Sequence, residues 1–290
     1  MSTRVRKRPR YVRMRMPWLL ALHACLLVLL CAASAQAQPR DETLRSAAGT
    51  GKIALVLGNG AYEQAPLRNP GTDAQAMADS LTRLGFRVTL RTDVTLTQMT
   101  DAMEQFTREG RNDDVRLFFY AGHGVQYRGR NYLVPVDANI QTPEDIPESG
   151  VDVQQLIERL QRSSKGFNVV ILDACRSYPL PTVKFRGGTR GIEPPPAQGL
   201  AQVTAPNGTL VAFSTSPGAV ARDGNSGHSV YAKHLLANLE TPGLTVEQLF
   251  KKIRIGVMRD TEQSQMPWEN SSLTGEFCFK LGRRGQCPGL

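Results

Sequence analysis

Apolar and polar residues follow each other along the chain in a pattern that predicts strands and helices in turn. Continuous apolar runs of strand length, typical of strands buried on both faces, occur at 52–57, 117–121, 169–172 and 209–214. Apolar residues recur at helical spacing in the segments between most of these runs. The predicted order β-α-β-α-β-α-β-loop-β-α-α-β indicates an α/β fold, with a mainly parallel sheet and helices on both faces.

Capping and turn residues set the expected limits of several elements. Thr72 or Asp73 is expected to cap a helix that ends at Gly85, and a small hairpin is expected around Gly129. A further strand is predicted at 86–90 and a final one from Gly275 onward. The remaining predicted helices are 97–109, 151–160, 230–239 and 245–258.

Two of the apolar runs end at a chemically competent side chain. One reads Leu117-Phe-Phe-Tyr-Ala-Gly-His123-Gly124, and the other ends in Asp173-Ala-Cys175, 52 residues after the histidine. Ligands of open α/β sheets bind beyond the carboxyl ends of parallel strands, so adjacent ends would hold a thiol and an imidazole over one crevice. Either residue alone is more simply explained as a packed side chain, but the pair favours nucleophilic cysteine chemistry.

The basic balance of the chain comes mostly from its N-terminus. The net charge is +9, but residues 1–37 hold seven basic residues and no acid, which leaves 28 basic against 26 acidic residues in the rest. The same segment has an apolar stretch and the small-x-small motif Ala35-Gln36-Ala37, so we expect a signal peptide over 1–37 and a flexible lead-in over 38–51. The expected location is periplasmic or secreted, and membrane attachment follows only if the segment stays uncleaved. The charge gives no argument for a nucleic-acid partner.

Cysteine usage fits export to an oxidising compartment. Cys25 and Cys31 leave with the signal peptide, so three thiols remain, which suggests one pair and one free reactive group. Cys278 is expected on the wetter face of the final strand, opposite Phe277, and Cys287 is close enough in sequence to bond to it. We therefore expect a disulfide between Cys278 and Cys287.

The residues around the two strand ends resemble a known family. His123-Gly124 followed by Asp173-Ala174-Cys175-Arg176-Ser177 is similar to the caspase-like cysteine peptidases, which include metacaspases and bacterial relatives. The resemblance departs from the caspase signature at Asp173, where caspases hold Gln, and at Ser177, where they hold Gly. It implies a large catalytic portion at 52–178, an exposed linker at 179–207, a small portion completing the same domain at 208–281 and a tail at 282–290.

The resemblance also implies roles for the site residues. Cys175 would be the nucleophile, His123 the general base and then the acid, and the N–H groups of Gly124 and Cys175 the oxyanion donors. In metacaspases a carboxylate at the position of Asp173 and a second one matching Asp73 form a pocket for Arg or Lys. The opposite preference stays open, because Arg68 lies where caspases hold an Arg that binds acidic substrates. The simpler interpretation of Asp73 is a plain helix N-cap.

The remaining expectations follow from these assignments. A peptidase that cuts after basic residues could process its own linker at Lys184, Arg186 or Arg190. The chemistry requires no cofactor. Calcium activation, known for some metacaspases, stays open, although the sequence has no EF-hand pattern. The partner is a protein or peptide substrate.

Other functions fit the sequence less well. A zinc hydrolase is disfavoured because the sequence has no His-Glu-x-x-His motif. A dinucleotide site is disfavoured because Glu63 replaces the third glycine of the dinucleotide fingerprint. A catalytically silent binding or sensor module remains the alternative.

Overall fold

The computed structural model describes residues 51–110, 114–175, 200–219, 221, 224, 227–283 and 285–287, with only the backbone of Cys175. The expected signal peptide at 1–37 and nearly all of the lead-in lie outside these residues. So does most of the linker, including Lys184, Arg186 and Arg190. Within the described part, no helix is both long and apolar enough to cross a membrane.

Strands and helices succeed each other in nearly the predicted order. The strands are β1 Lys52–Gly58, β2 Arg87–Thr92, β3 Val115–Tyr127, β4 Arg130–Leu133, β5 Val151–Asp152, β6 Asn168–Cys175, β7 Thr209–Phe213 and β8 Trp268–Ser271. The helices are α1 Pro70–Arg83, α2 Leu96–Arg108, α3 Ile146–Ser149, α4 Val153–Ser163, α5 Val230–Leu239 and α6 Val246–Asp260, with a 3-10 turn at Pro143–Asp145.

The main sheet has the strand order β2-β1-β3-β6-β7-β8, and all neighbours are parallel except β7 and β8. A short antiparallel extension joins β3 to β4 and β4 to β5. Helices cover both faces of the sheet. Met77, Leu235 and Ile253 bring α1, α5 and α6 into one apolar core, whereas Met103 and Leu156 bring α2 and α4 into the other. The expected α/β fold with a mainly parallel sheet is therefore confirmed.

The predicted final strand is wrong. The last strand among the described residues is β8, which ends at Ser271, and the segment from Gly275 to Lys280 contains no strand. The backbone of that segment is held by the start of α6, because the Val246 N–H donates to the Phe277 carbonyl at 2.8 Å. Phe277, Cys278 and Phe279 are all buried, so Cys278 does not lie on a wetter face. The alternation of the segment reflects packing under helices and not pairing in the sheet.

Two smaller predictions also change, and a third is confirmed. The histidine strand does not stop at His123 but runs on to Tyr127, because it leaves the main sheet and pairs with β4. The predicted helix at 151–160 begins two residues later, after β5. The hairpin turn lies at Arg128 and Gly129, both with positive φ, as the sequence indicates.

Candidate active site

The sheet brings the two candidate catalytic positions side by side. β3 and β6 are parallel neighbours, and their last paired residues are His123 and Cys175. Neighbouring strands lie roughly 4.8 Å apart, so the two backbone positions are adjacent at the carboxyl edge of the sheet. This is the arrangement that ligand-binding crevices of open α/β sheets require.

His123 is fully buried and its ring is held by the loop that follows β1. Its Nε2 lies 2.8 Å from the carbonyl oxygen of Ala65. A carbonyl oxygen can only accept, so Nε2 carries a proton in the neutral ring, and Nδ1 is the nitrogen that can take up another one. The backbone carbonyl of Ala65 thus orients the imidazole.

Two tyrosines fix the backbone of His123. The hydroxyl of Tyr62 accepts a hydrogen bond from the His123 N–H at 3.0 Å, and the Tyr120 hydroxyl donates to the His123 carbonyl at 2.7 Å. The ring centroids of Tyr62 and His123 are 4.4 Å apart. Burial raises the pKa of Tyr62, so this phenol stays neutral.

Glycines on both sides of His123 allow this close packing. A Cβ at Gly122, which has φ +155°, would lie 2.6 Å from the hydroxyl oxygen of Tyr120. A Cβ at Gly124 would lie 3.0 Å from the Cβ of Ala174 on β6. Gly124 therefore allows β3 and β6 to stay close beyond the catalytic position, and its part in an oxyanion site stays a prediction.

The two candidate pocket carboxylates come together through one residue, Ser229. The Ser229 hydroxyl donates to Asp173 Oδ2 at 2.5 Å, and the Ser229 N–H donates to Asp73 Oδ2 at 3.1 Å. Asp73 is 1% exposed and Asp173 is 4% exposed. The expectation that Asp73 caps its own helix is wrong, because α1 begins at Pro70 and the N-cap position belongs to Asn69.

Asp73 has a second partner, His228, which directly precedes the N-cap residue of α5. His228 Nδ1 lies 2.6 Å from Asp73 Oδ1. The side chain of His228 is 32% exposed, in contrast to the buried carboxylate that it contacts. The contact joins residues 155 positions apart, so no local pattern could reveal it.

The N-terminus of α5 supplies the electrostatic setting of the carboxylates. Ser229 is the N-cap of this helix, and its hydroxyl also accepts from the Ala232 N–H at 2.8 Å. The partial positive charge of a helix N-terminus favours nearby anions. Tyr231, in the first turn of α5, is fully buried, and its pKa is raised by that burial and by the charge of Asp173. The phenol therefore remains neutral beside the carboxylate.

Arg68 and the two cysteines near the C-terminus are the remaining candidate residues within the described part. Arg68 is exposed in the segment between β1 and α1. Cys278 and Cys287 form a disulfide with their Cα atoms 5.6 Å apart. Within the described residues, no group of three His, Cys, Asp or Glu side chains could hold a metal ion.

Comparison with known proteins identifies the family. The model of the caspase domain family matches residues 51–278, which is most of the chain. The human mucosa-associated lymphoid tissue lymphoma translocation protein 1 is 32% identical over 139 residues, which cover 47% of this chain and 16% of the human protein. Its mouse homolog is 34% identical over 127 residues, covering 43% of this chain and 15% of the mouse protein. The chain spans less than a fifth of the length of these two relatives. Because the family model matches most of the chain, the protein belongs to the family of caspase-like cysteine peptidases.

Proposed function

We propose that the protein is a cysteine endopeptidase that uses His123 and Cys175 as a catalytic dyad and cleaves after Arg or Lys. The observation that carries the proposal is the register of β3 and β6, which pairs these two residues at the carboxyl edge of the sheet. The family supports a protein or peptide as the substrate.

The dyad chemistry follows from the tautomer of His123. Nδ1 takes the thiol proton of Cys175, and the sulfur attacks the carbonyl carbon of the scissile peptide bond. The N–H groups of Gly124 and Cys175 are the proposed donors to the oxyanion. Nδ1 then gives the proton to the leaving amine as the C–N bond breaks. Water, deprotonated by the same nitrogen, hydrolyses the thioester and restores the thiol.

The proposed preference for basic residues rests on the buried carboxylates. Asp73 and Asp173 both lie within reach of Ser229, and burying two like charges is costly unless a cation or hydrogen-bond donors compensate them. A guanidinium group donates to carboxylates in a bidentate manner, and an ammonium group supplies three donors. An Arg or Lys side chain of the substrate would therefore be stabilised there, whereas an Asp side chain would be repelled.

Fluorogenic peptides test the proposal. One peptide carries Arg before the scissile bond and the other Asp, and each is incubated with the chain expressed with its native N-terminus, with and without calcium. Cleavage of the Arg peptide that disappears in Cys175→Ala supports the proposal. Cleavage of the Asp peptide would keep the dyad and shift the specificity to Arg68. Cleavage of neither peptide under any condition would favour a catalytically silent module.

Export and self-processing are part of the same proposal. We propose that residues 1–37 direct export to the periplasm or the exterior, and the disulfide between Cys278 and Cys287 fits an oxidising compartment. Cleavage after Lys184, Arg186 or Arg190 would divide the chain into a large and a small portion. Mass spectrometry of the exported protein tests both, since it should show an N-terminus at Gln38 and a linker cut that Cys175→Ala abolishes.

A further inference from the structure

The described end of the predicted linker, residues 200–207, is pinned to β4 by one asparagine. The side-chain amide of Asn131 donates to the Ala201 carbonyl at 2.8 Å, and its Oδ1 accepts from the Ala201 N–H at 2.6 Å. Asn131 is buried, so its replacement by an apolar side chain would deprive both backbone groups of Ala201 of these partners. The amide holds the linker end through a donor and an acceptor together.

This contact seats Leu200 beside the candidate oxyanion residue. Leu200 directly precedes the pinned Ala201 and is buried in the core that also contains Ala174. A Cβ at Gly124 would lie 3.2 Å from Leu200 Cδ2, so the leucine fills the space beside the Cα of Gly124. Because Leu200 packs against the backbone of Gly124, the place of this backbone depends on where Asn131 holds the chain.

The N–H group of Gly124 faces the catalytic side of β3. The Val134 N–H donates to the His123 carbonyl at 3.0 Å, and Gly124 is paired with Leu133. In an antiparallel ladder this hydrogen bond makes Gly124 and Leu133 a non-hydrogen-bonded pair, whose N–H groups point away from the partner strand. The Gly124 N–H therefore points away from β4, to the side where β6 brings Cys175.

We propose that Asn131 is a positioning residue, which holds Leu200 against Gly124 so that the Gly124 N–H stays aimed at the oxyanion. This inference rests on the proposed peptidase chemistry and on the proposed role of Gly124 as a donor. A donor is most effective when it is fixed before charge develops on the substrate oxygen. The oxyanion forms only as the reaction proceeds, so the contribution of Asn131 should be to kcat and not to substrate binding.

A second asparagine anchors the linker end farther along and supplies the matched control. The side chain of Asn270, on β8, donates to the Val203 carbonyl at 2.5 Å. Val203 is buried in the same core, so this anchor also holds an apolar side chain in place. Asn270→Leu removes it and leaves the contact of Asn131 intact. The two leucine variants together separate the positioning of Gly124 from a general loosening of the linker end.

Steady-state kinetics and a transition-state analogue measure the effect. The chain expressed with its native N-terminus is compared with Asn131→Leu, Leu200→Ala, the double variant and Asn270→Leu, each assayed on the Arg peptide per amount of folded protein. The analogue is a peptide aldehyde ending in arginine. The sulfur of Cys175 bonds to its carbonyl carbon as the C=O π bond breaks, and the thiol proton passes to the oxygen, which lies at the oxyanion position.

The inference predicts that Asn131→Leu and Leu200→Ala each lower kcat about tenfold and weaken aldehyde inhibition by a similar factor, with KM nearly unchanged. The double variant should lose no more than Leu200→Ala alone, because both changes act through the same contact. Asn270→Leu should keep the native kcat. If Asn131→Leu does not fold, Leu200→Ala carries the same prediction.

Several results would overturn the inference and leave the proposed peptidase activity standing. They are an unchanged kcat in Asn131→Leu or in Leu200→Ala, a rise in KM without a fall in kcat, full additivity in the double variant, and an equal loss in Asn270→Leu. No cleavage of the Arg peptide by the native chain would instead overturn the proposed function and the inference with it.

Discussion

Asp73 and Asp173, which lie on different elements of the fold, share one residue as their hydrogen-bond donor. The Ser229 N–H reaches Asp73 Oδ2 at 3.1 Å, and the Ser229 hydroxyl reaches Asp173 Oδ2 at 2.5 Å. The start of α5 therefore sets the position of both carboxylates relative to the crevice. The distance between the two carboxylates depends on where α5 lies, and not only on the positions of β6 and α1.

Neutralising Asp173 should remove the proposed preference for basic substrates. Asp173→Asn keeps the shape of the side chain but removes its charge, so kcat/KM for the Arg peptide should fall about 100-fold. The measurement is the ratio of cleavage after Arg to cleavage after citrulline, its neutral isostere. Asp152→Asn is a matched control, because Asp152 is buried like Asp173. Asp152 caps α4, which packs in the apolar core on the opposite face of the sheet from α5. Asp152→Asn should cost stability without changing this ratio, and an equal change in both variants would argue against the pocket.

Removing the hydroxyl of Tyr62 should slow turnover. Tyr62→Phe leaves the buried His123 N–H without its acceptor, which costs about 1–3 kcal/mol and loosens the position of the imidazole. We expect kcat to fall about tenfold with KM nearly unchanged, measured by steady-state kinetics on the Arg peptide. Tyr127→Phe is the control, since Tyr127 lies on the same strand as His123, and it should have little effect on turnover. A KM increase without a kcat decrease would contradict a positioning role for Tyr62.

Asp260, the last residue of α6, should make the stability of the protein depend on pH. Lys233, followed by His234 and Arg259, holds the pKa of the Asp260 carboxyl well below its ordinary value. The stabilisation is complete above the ordinary Asp pKa of about 4 and is lost as the pH falls through the lowered pKa. Asp260→Asn should thus lower Tm at pH 7, and the difference from the native chain should shrink below pH 4. The exposed Asp101 provides the control, since Asp101→Asn should leave Tm unchanged at both pH values.

The Cys278–Cys287 disulfide should stabilise the segment that packs under α6. It closes a loop with a sequence separation of 9, for which the loss of chain entropy predicts about 2–3 kcal/mol. Cys287→Ser should lower the free energy of unfolding by this amount under oxidising conditions and by nothing after reduction. Thiol titration of the denatured exported protein should find one free cysteine, and three free thiols would exclude the bond.

The sequence predicts the central sheet well because its strands are buried on both faces. Runs such as 52–57 and 169–172 are continuously apolar, and the covered faces of β1 and β6 need such runs. The segment around Phe277 is different. Two buried aromatic residues separated by one residue give the same sequence pattern in a strand and in an irregular segment. Only the hydrogen bond from the Val246 N–H to the Phe277 carbonyl shows that the segment is irregular and not a strand.

The apolar pattern predicts the site only where it lies on strand ends, whereas the family resemblance adds Asp73 on α1. His123 and Cys175 follow apolar runs, so their meeting at one sheet edge was foreseeable. The carbonyl of Ala65 leaves no mark in the sequence, because every residue has one. The contact of His228 with Asp73 depends on how α5 docks against α1. The one local signal was the pair His228-Ser229 directly before a helix, since Ser is a common N-cap.

A covalent probe tests the central claim most directly. Two peptides with the same thiol-reactive group, one ending in arginine and the other in aspartate, are added to the native protein, and the labelled residue is located by mass spectrometry. We predict that the arginine probe labels Cys175, that the aspartate probe does so far more slowly, and that His123→Ala slows labelling by the arginine probe. Labelling of Cys175 that prefers the aspartate probe, or no labelling of Cys175 by either probe, would contradict the account.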